Sequence, residues 1–201
     1  LLCNNAGVAR TGPSWEIDDR DWEWTIGVNL MGMVHGLQIF VPHMKAHGEA
    51  SHIVTTSSMA GLRASVAGGP YTATKYAVVG LSEVLATELA DTRIGVSVFC
   101  PNNIRSNMPN NGRNRPARFG GPIDAKIDAH AAEHIAVMQD RNRAGMDPRE
   151  AGARVKNGIE NDQLFIFSHA TERHILEERF ARILADMDAA AALGPQGTLL
   201  K

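Results

Sequence analysis

Four short runs decide what this chain can fold into. "HIVTTSS" at 52–58, "IGVSVFCP" at 94–101 and "QLFIFS" at 163–168 are continuous and largely apolar, and residues 1–5 read as the tail of another such run. An exposed sheet face would alternate apolar and polar residues. Continuous runs instead predict strands covered on both faces. The covering must come from the segments between them, and those carry helical periodicity. Asp18 or Asp19 can cap a helix, and from Trp22 the apolar positions Ile26, Leu30, Met33, Val34, Leu37 and Phe40 recur to about His47, with a bend expected at Pro42. Residues 71–90 repeat the pattern with Val78, Ser82, Leu85 and Leu89. So do 124–139, 147–160 and a last helix, 171–192, carrying Ile175, Phe180, Ile183, Leu184 and Met187. Glycines mark the loops, Gly7 and Gly12 after the first strand and Gly61, Gly68 and Gly69 after the second. The order β-α-β-α-β-α-β-α predicts a parallel sheet with helices on both faces, and such sheets gather chemistry at the carboxyl ends of their strands. There is no internal repeat or linker, so 1–201 is expected as a single domain, with 102–150 a loop region that shapes substrate recognition.

Composition narrows the partners. The formal net charge is −2 and no long basic run exists, which argues against nucleic acid and anionic membrane surfaces. No apolar stretch is expected to reach the roughly 18 residues of a membrane span. Cys3 and Cys100 lie in strand-like runs and read as buried free thiols, as in a reducing cytoplasm.

Three positions carry possible chemistry. Ser58 closes the second strand, and Tyr71 and Lys75 are four apart at the start of the next helix, hence on one face. A free phenol has a pKa of about 10 and is a poor base at neutral pH. A nearby ammonium favours the phenolate, and a shift of about 3 units corresponds to roughly 4 kcal/mol. A tyrosine so tuned exchanges a proton with a carbonyl or alcohol oxygen, and Ser58 can hydrogen-bond the same oxygen. Either half of this pattern alone is common on ordinary helices and strand ends.

The neighbours give it force. Ser58, Tyr71 thirteen positions later, and Lys75 together resemble the active site of the short-chain dehydrogenase/reductase family. "NNAG" at 4–7 is similar to that family's fourth-strand motif, "VNLMG" at 28–32 to the helix bearing its fourth catalytic residue (here Asn29), and "SSMAG" at 57–61 to its serine motif. "CPNNIRSNM" at 100–108 resembles its Pro-Gly segment, with Asn102 where Gly is usual and Ser106 where Thr is usual. The resemblance is strong over about residues 1–108 and looser beyond.

The resemblance implies a Rossmann-like sheet cut to about its last four strands. It also implies hydride transfer between a secondary alcohol or ketone and NAD or NADP. Tyr71 would be the acid/base, and Ser58 would hold the substrate oxygen. Lys75 would lower the tyrosine pKa and bind the nicotinamide ribose, and Asn29 would hold a relay water. Cofactor contacts would come from Asn4, Ala6, Gly7, Tyr71, Lys75, Pro101, Ile104 and Ser106. A homodimer or homotetramer is implied too. The Gly-rich cofactor loop and the residue that separates NAD from NADP are expected upstream of Leu1. The 201 residues alone are therefore expected to expose a strand edge, to be poorly soluble and to bind no cofactor.

Other signals point elsewhere. "HAAEH" at 130–134 fits a zinc-hydrolase pattern, with His130 and His134 as ligands and Glu133 as base, although so short a match is expected by coincidence. A non-catalytic, cofactor-binding relative is a further reading, against which all four of Ser58, Tyr71, Lys75 and Asn29 stand intact. Arg105, Arg113, Arg115 and Arg118 suggest either a pocket for an acidic substrate or, more simply, a solvated mobile lid. Trp15, Trp22 and Trp24 read as packing or loop anchors, and Gly27, Gly32 and Gly36 as a thin helix face for close packing.

Overall fold

The computed structural model describes residues 1–64, 67–123, 136, 139–140 and 142–193. Four parallel strands lie side by side in chain order: β1 (Leu2–Asn4), β2 (Ser51–Thr56), β3 (Ile94–Cys100) and β4 (Phe165–Phe167). The register sets Cys3 beside Val54 and Thr55 beside Val98, which aligns the carboxyl ends of β1, β2 and β3.

Each crossover is helical. α1 (Asp19–Ile26) begins at Asp18, whose carboxylate accepts from Arg20 N. It runs into a wider π turn, Gly27–Met31, and then α2 (Gly32–His47). Pro42 sits inside α2 without ending it. Gly48 closes α2 at φ 67, a left-handed cap that costs a glycine little. α3 (Gly69–Glu88) joins β2 to β3. α4 (Pro148–Glu160), capped by Asp147 and opened by proline, precedes β4.

Alternate residues on the strands meet different helices. Ile53, Ile94, Val96, Val98 and Cys100 pack under α2 and α3 against Met33, Met44, Val78, Val79, Leu85 and Leu89. Val54, Phe99 and Ile166 face the other way, against Ala151, Val155 and Ile159 of α4. The expected two-sided burial holds for β2 and β3. Cys3 departs from it: it is exposed, and only Cys100 is a buried thiol. Cys3 shares the α4 face of the sheet with Val54, and α4 covers β3 and β4 rather than β1.

One helical stretch, Asp19–His47, is long and apolar enough by composition to cross a membrane, against expectation. Met33, Leu37, Val41 and Met44 of that stretch pack on the sheet. The chain divides into two compact units, Leu1–Ser168 and His169–Lys201. Among its described residues the second carries α5 (Arg173–Ala192), opened by an Arg173–Glu177 ion pair at 2.7 Å. Of the expected helix 124–139 the described residues include 136 and 139, both helical, and the "HAAEH" motif falls outside the described residues.

Candidate active site

The end of β2 supplies the first group. Ser58 leaves the strand fully extended and caps a short 3-10 turn, Met59–Gly61, its Oγ accepting from Ala60 N at 3.1 Å. That turn is pressed against α3. Ser57 Oγ donates to Lys75 O at 2.9 Å, and a Cβ at Gly61 would lie 2.6 Å from that same carbonyl. Only glycine allows so close an approach. The consequence is that the first turns of α3 are held at a fixed distance from the strand end.

On α3, the Tyr71 phenol is half-buried and hydrogen-bonded to Ser58. Lys75 is buried, 2% exposed. Its Nζ donates to Thr56 O at 2.7 Å and sits 5.6 Å from the centre of the Tyr71 ring. Burial pushes the phenol above its usual range, with the Ser58 hydrogen bond pulling the other way. Burial also pushes Lys75 down to about 8, Cys100 opposing the shift slightly. Desolvation thus penalises both charged forms. The expected lowering of the tyrosine by its lysine does not prevail in this state.

Asn29 enters from the π turn, a helical irregularity that recurs at functional positions. It is buried, and its side chain takes Val8 by both main-chain groups. Val8 N donates to Oδ1 at 2.8 Å, and Nδ2 donates to Val8 O at 2.9 Å and to Thr74 Oγ1 at 3.0 Å. Gly7 sits between the two elements: a Cβ there would be 3.6 Å from both Asn29 Oδ1 and Lys75 Nζ. The four sequence-predicted side chains therefore converge at the carboxyl ends of β1 and β2.

The other candidates divide. Ala6 is exposed and Pro101 half-buried at strand ends in the same region. Asn4 instead turns under α2 against Gly36, its Nδ2 without a partner among the described residues. Of Gly27, Gly32 and Gly36, Gly36 alone has a close neighbour, while Gly27 meets nothing within 4 Å. Ile104 packs into the cluster between the sheet and α4 and bridges Met146. Ser106 is exposed and exchanges two hydrogen bonds with Asn142. Asn102 does not use a positive φ, which among described non-glycine residues occurs at Ala67 and Asp162. The turn after Pro101 therefore needs no glycine.

Nor do the loop arginines form a free cationic patch. Arg105 pairs with Asp147, Arg115 with Asp21, Arg113 caps the carbonyls of Asn107 and Asn110, and Arg118 lies on the Phe119 ring. Trp24 is core, whereas Trp15 is 85% exposed, its Nε1 donating to the neighbouring Glu16 Oε1 at 3.1 Å, so it does not pack as expected. The partners Val8, Thr56 O, Thr74 and Asp21 carried no sequence signal, because each is defined by a long-range contact.

Residues 1–117 match the family model described as short chain dehydrogenase. The chain belongs to the short-chain dehydrogenase family. It is 38% identical over 98% of its length to a C alpha-dehydrogenase of Sphingobium, and 30% identical over 92% to a CLA biosynthesis dehydrogenase/reductase of Lactiplantibacillus plantarum. It spans 63% and 66% of those two proteins. A short-chain dehydrogenase/reductase from Burkholderia phymatum, solved in complex with NAD, superposes with a TM-score of 0.86 at 31% identity, covering 92% of this chain and 66% of that one. In this member of the family, the matched segment contains all four convergent side chains.

Proposed function

We propose that this chain carries the catalytic side chains of an NAD(P)-dependent oxidoreductase that interconverts a secondary alcohol and a ketone. The observation that carries the reading is the convergence of Ser58, Tyr71, Lys75 and Asn29 around one strand end. A bound nicotinamide would supply or accept the hydride.

The residues present suit such a group. Lys75 Nζ has one hydrogen-bond acceptor among the described residues, Thr56 O, which leaves two N–H donors for ribose hydroxyls. Ala6, Gly7 and Pro101 offer small or backbone surfaces at the strand ends beside it. Tyr71 Oη gives a proton to the carbonyl oxygen during reduction and takes it back during oxidation. Ser58 Oγ hydrogen-bonds the same oxygen and fixes its distance to the phenol. Lys75 holds its ammonium near the phenol and favours the phenolate once substrate excludes water. Both N–H groups of the Asn29 amide are committed, so a relay water would be held through an oxygen of Asn29, not through its nitrogen.

The similarity to a protein named a C alpha-dehydrogenase supports oxidation as one direction of the reaction. Family membership and the two free cysteines support a cytoplasmic homodimer or homotetramer. The test is spectrophotometric. The natural protein should reduce NAD or NADP in the presence of a panel of secondary alcohols, and Tyr71→Phe should stop it. Absence of turnover with both cofactors across the panel overturns the reading. Stoichiometric zinc, lost on His130→Ala, would revive the hydrolase pattern.

A further inference from the structure

The loop that follows β1 is fastened from several directions. Asn29 takes Val8. Ala9 N donates to Asn111 Oδ1 at 3.1 Å, and Gly12 N donates to Ala67 O at 3.0 Å. Arg10 Nε donates to Asp21 Oδ2 at 2.8 Å. The other oxygen of the same carboxylate, Oδ1, lies 2.8 Å from Arg115 Nε, an ionic contact without an aligned hydrogen bond. Asp21 is 4% exposed, and the Arg115 side chain is 11% exposed.

Asn111 and Arg115 both belong to the segment 107–121, which follows β3 and lies within the 102–150 loop region that the sequence assigns to substrate recognition. Two ties of different chemistry thus join that segment to residues 9–10: one amide acceptor and one buried carboxylate between two guanidinium groups. A buried carboxylate holding two cations responds sharply to loss of its charge, because the guanidinium groups then face each other without a counterion. The same residues 8–10 continue from the position that Asn29 sets beside Lys75. Segment 107–121 is thus tied to the loop after β1 on the side where substrate must enter, while Asn29 separately fixes Val8.

We propose that Asp21 is a positioning residue that, with Arg10 and Arg115, clasps segment 107–121 over the carboxyl end of β1 and so sets the shape of the substrate pocket. The proposal rests on the dehydrogenase reading above. A role confined to stabilising α1 would change melting behaviour and leave substrate affinity alone.

The experiment uses the natural protein at saturating nicotinamide cofactor. Asp21→Asn keeps the side-chain shape and removes the charge. It should raise KM for the alcohol about tenfold or more while kcat moves less than about threefold, with cofactor binding unchanged. Arg115→Met should do the same, and the double variant should be no worse than either single one, since both break one contact. Asp21→Glu should recover part of the loss. A second readout is independent of turnover: native-state trypsin cleavage after Arg113 and Arg118 should accelerate about tenfold in Asp21→Asn, with other sites unaffected. Unchanged KM with unchanged cleavage overturns the clasp. Faster cleavage with unchanged KM overturns its role in shaping the pocket. A parent protein with no turnover overturns the dehydrogenase reading instead, and the trypsin comparison then decides the clasp alone. If Asp21→Asn does not fold, Arg115→Met carries both comparisons.

Discussion

Asn29 holds Val8 by both of its main-chain groups, at 2.8 Å and 2.9 Å, across the gap between a helix and the end of a strand. Only a carboxamide can do this, since it presents one acceptor and two donors on the same planar group. Asn29→Asp keeps the acceptor and loses the donors to Val8 O and Thr74. Asn29→Ala leaves Val8 N–H without a partner. Each should cost about 1–3 kcal/mol of stability by urea titration, and turnover should fall more steeply than stability accounts for. A neutral effect of Asn29→Ala on both would remove it from the site.

Tyr71→Phe removes one oxygen from a half-buried ring and little else. We expect a loss of turnover of about 10³-fold or more, with melting temperature and cofactor affinity nearly unchanged. Retention of activity within about tenfold would rule out the phenol as proton donor.

Lys75 gives a pH signature. Its pKa is lowered from 10.5 to about 8 in the fold. The unfolded chain therefore binds the proton more tightly, and stability from this group rises as pH climbs from about 8 toward 10.5. Below pH 8 the fold bears the full penalty, of order 3 kcal/mol, of keeping a buried ammonium. Other groups, Cys100 among them, titrate in the opposite sense, so the comparison must be made against Lys75→Met. The variant should be inactive yet more stable at pH 7 by about 2 kcal/mol, after loss of the hydrogen bond to Thr56 O. The difference should shrink to nothing or reverse above pH 10.5. A destabilised variant at pH 7 would show that the ammonium is better solvated than its burial implies.

Gly61→Ala introduces a methyl carbon 2.6 Å from Lys75 O. The strand end and α3 must separate to admit it, at a cost of about 1–3 kcal/mol. Because Tyr71 and Ser58 sit on opposite sides of that contact, kcat should fall by about tenfold or more. Crystal structures of the variant should show a longer Ser58–Tyr71 separation. Unchanged kcat would mean that the contact carries packing alone.

The strands and the four converging side chains were legible because their signals are local. β2 and β3 are short continuous apolar runs, and Ser58, Tyr71 and Lys75 lie within one β-turn-α unit where spacing fixes geometry. Asn29 was legible through the resemblance of "VNLMG" to a family motif, and the π turn accommodates an asparagine that a regular helix interior disfavours. The exposure of Cys3 was not legible, because it depends on which strands α4 covers. Nor were the tasks of Arg115 and Asp21, which meet only after the chain has passed through two strands. The same holds for Asn4, whose motif suggested a ligand contact and whose side chain lies under Gly36. Periodicity reports which elements form; it does not report which charge finds which partner.

The π turn at Gly27–Met31 also sets a rotational phase. An α-helix turns by about 100° and rises 1.5 Å per residue, so a one-residue bulge offsets everything before it from everything after it. Asp21 and Trp24 point where they do because that offset is present. Forcing this stretch into regular α geometry at unchanged length would rotate α1 against α2 by tens of degrees about the helix axis. Trp24 would leave the core and the Asp21 carboxylate would leave its two arginines, although no residue in contact with substrate had changed. Substitutions that straighten this turn therefore act on the core and on the Asp21 contacts from a distance.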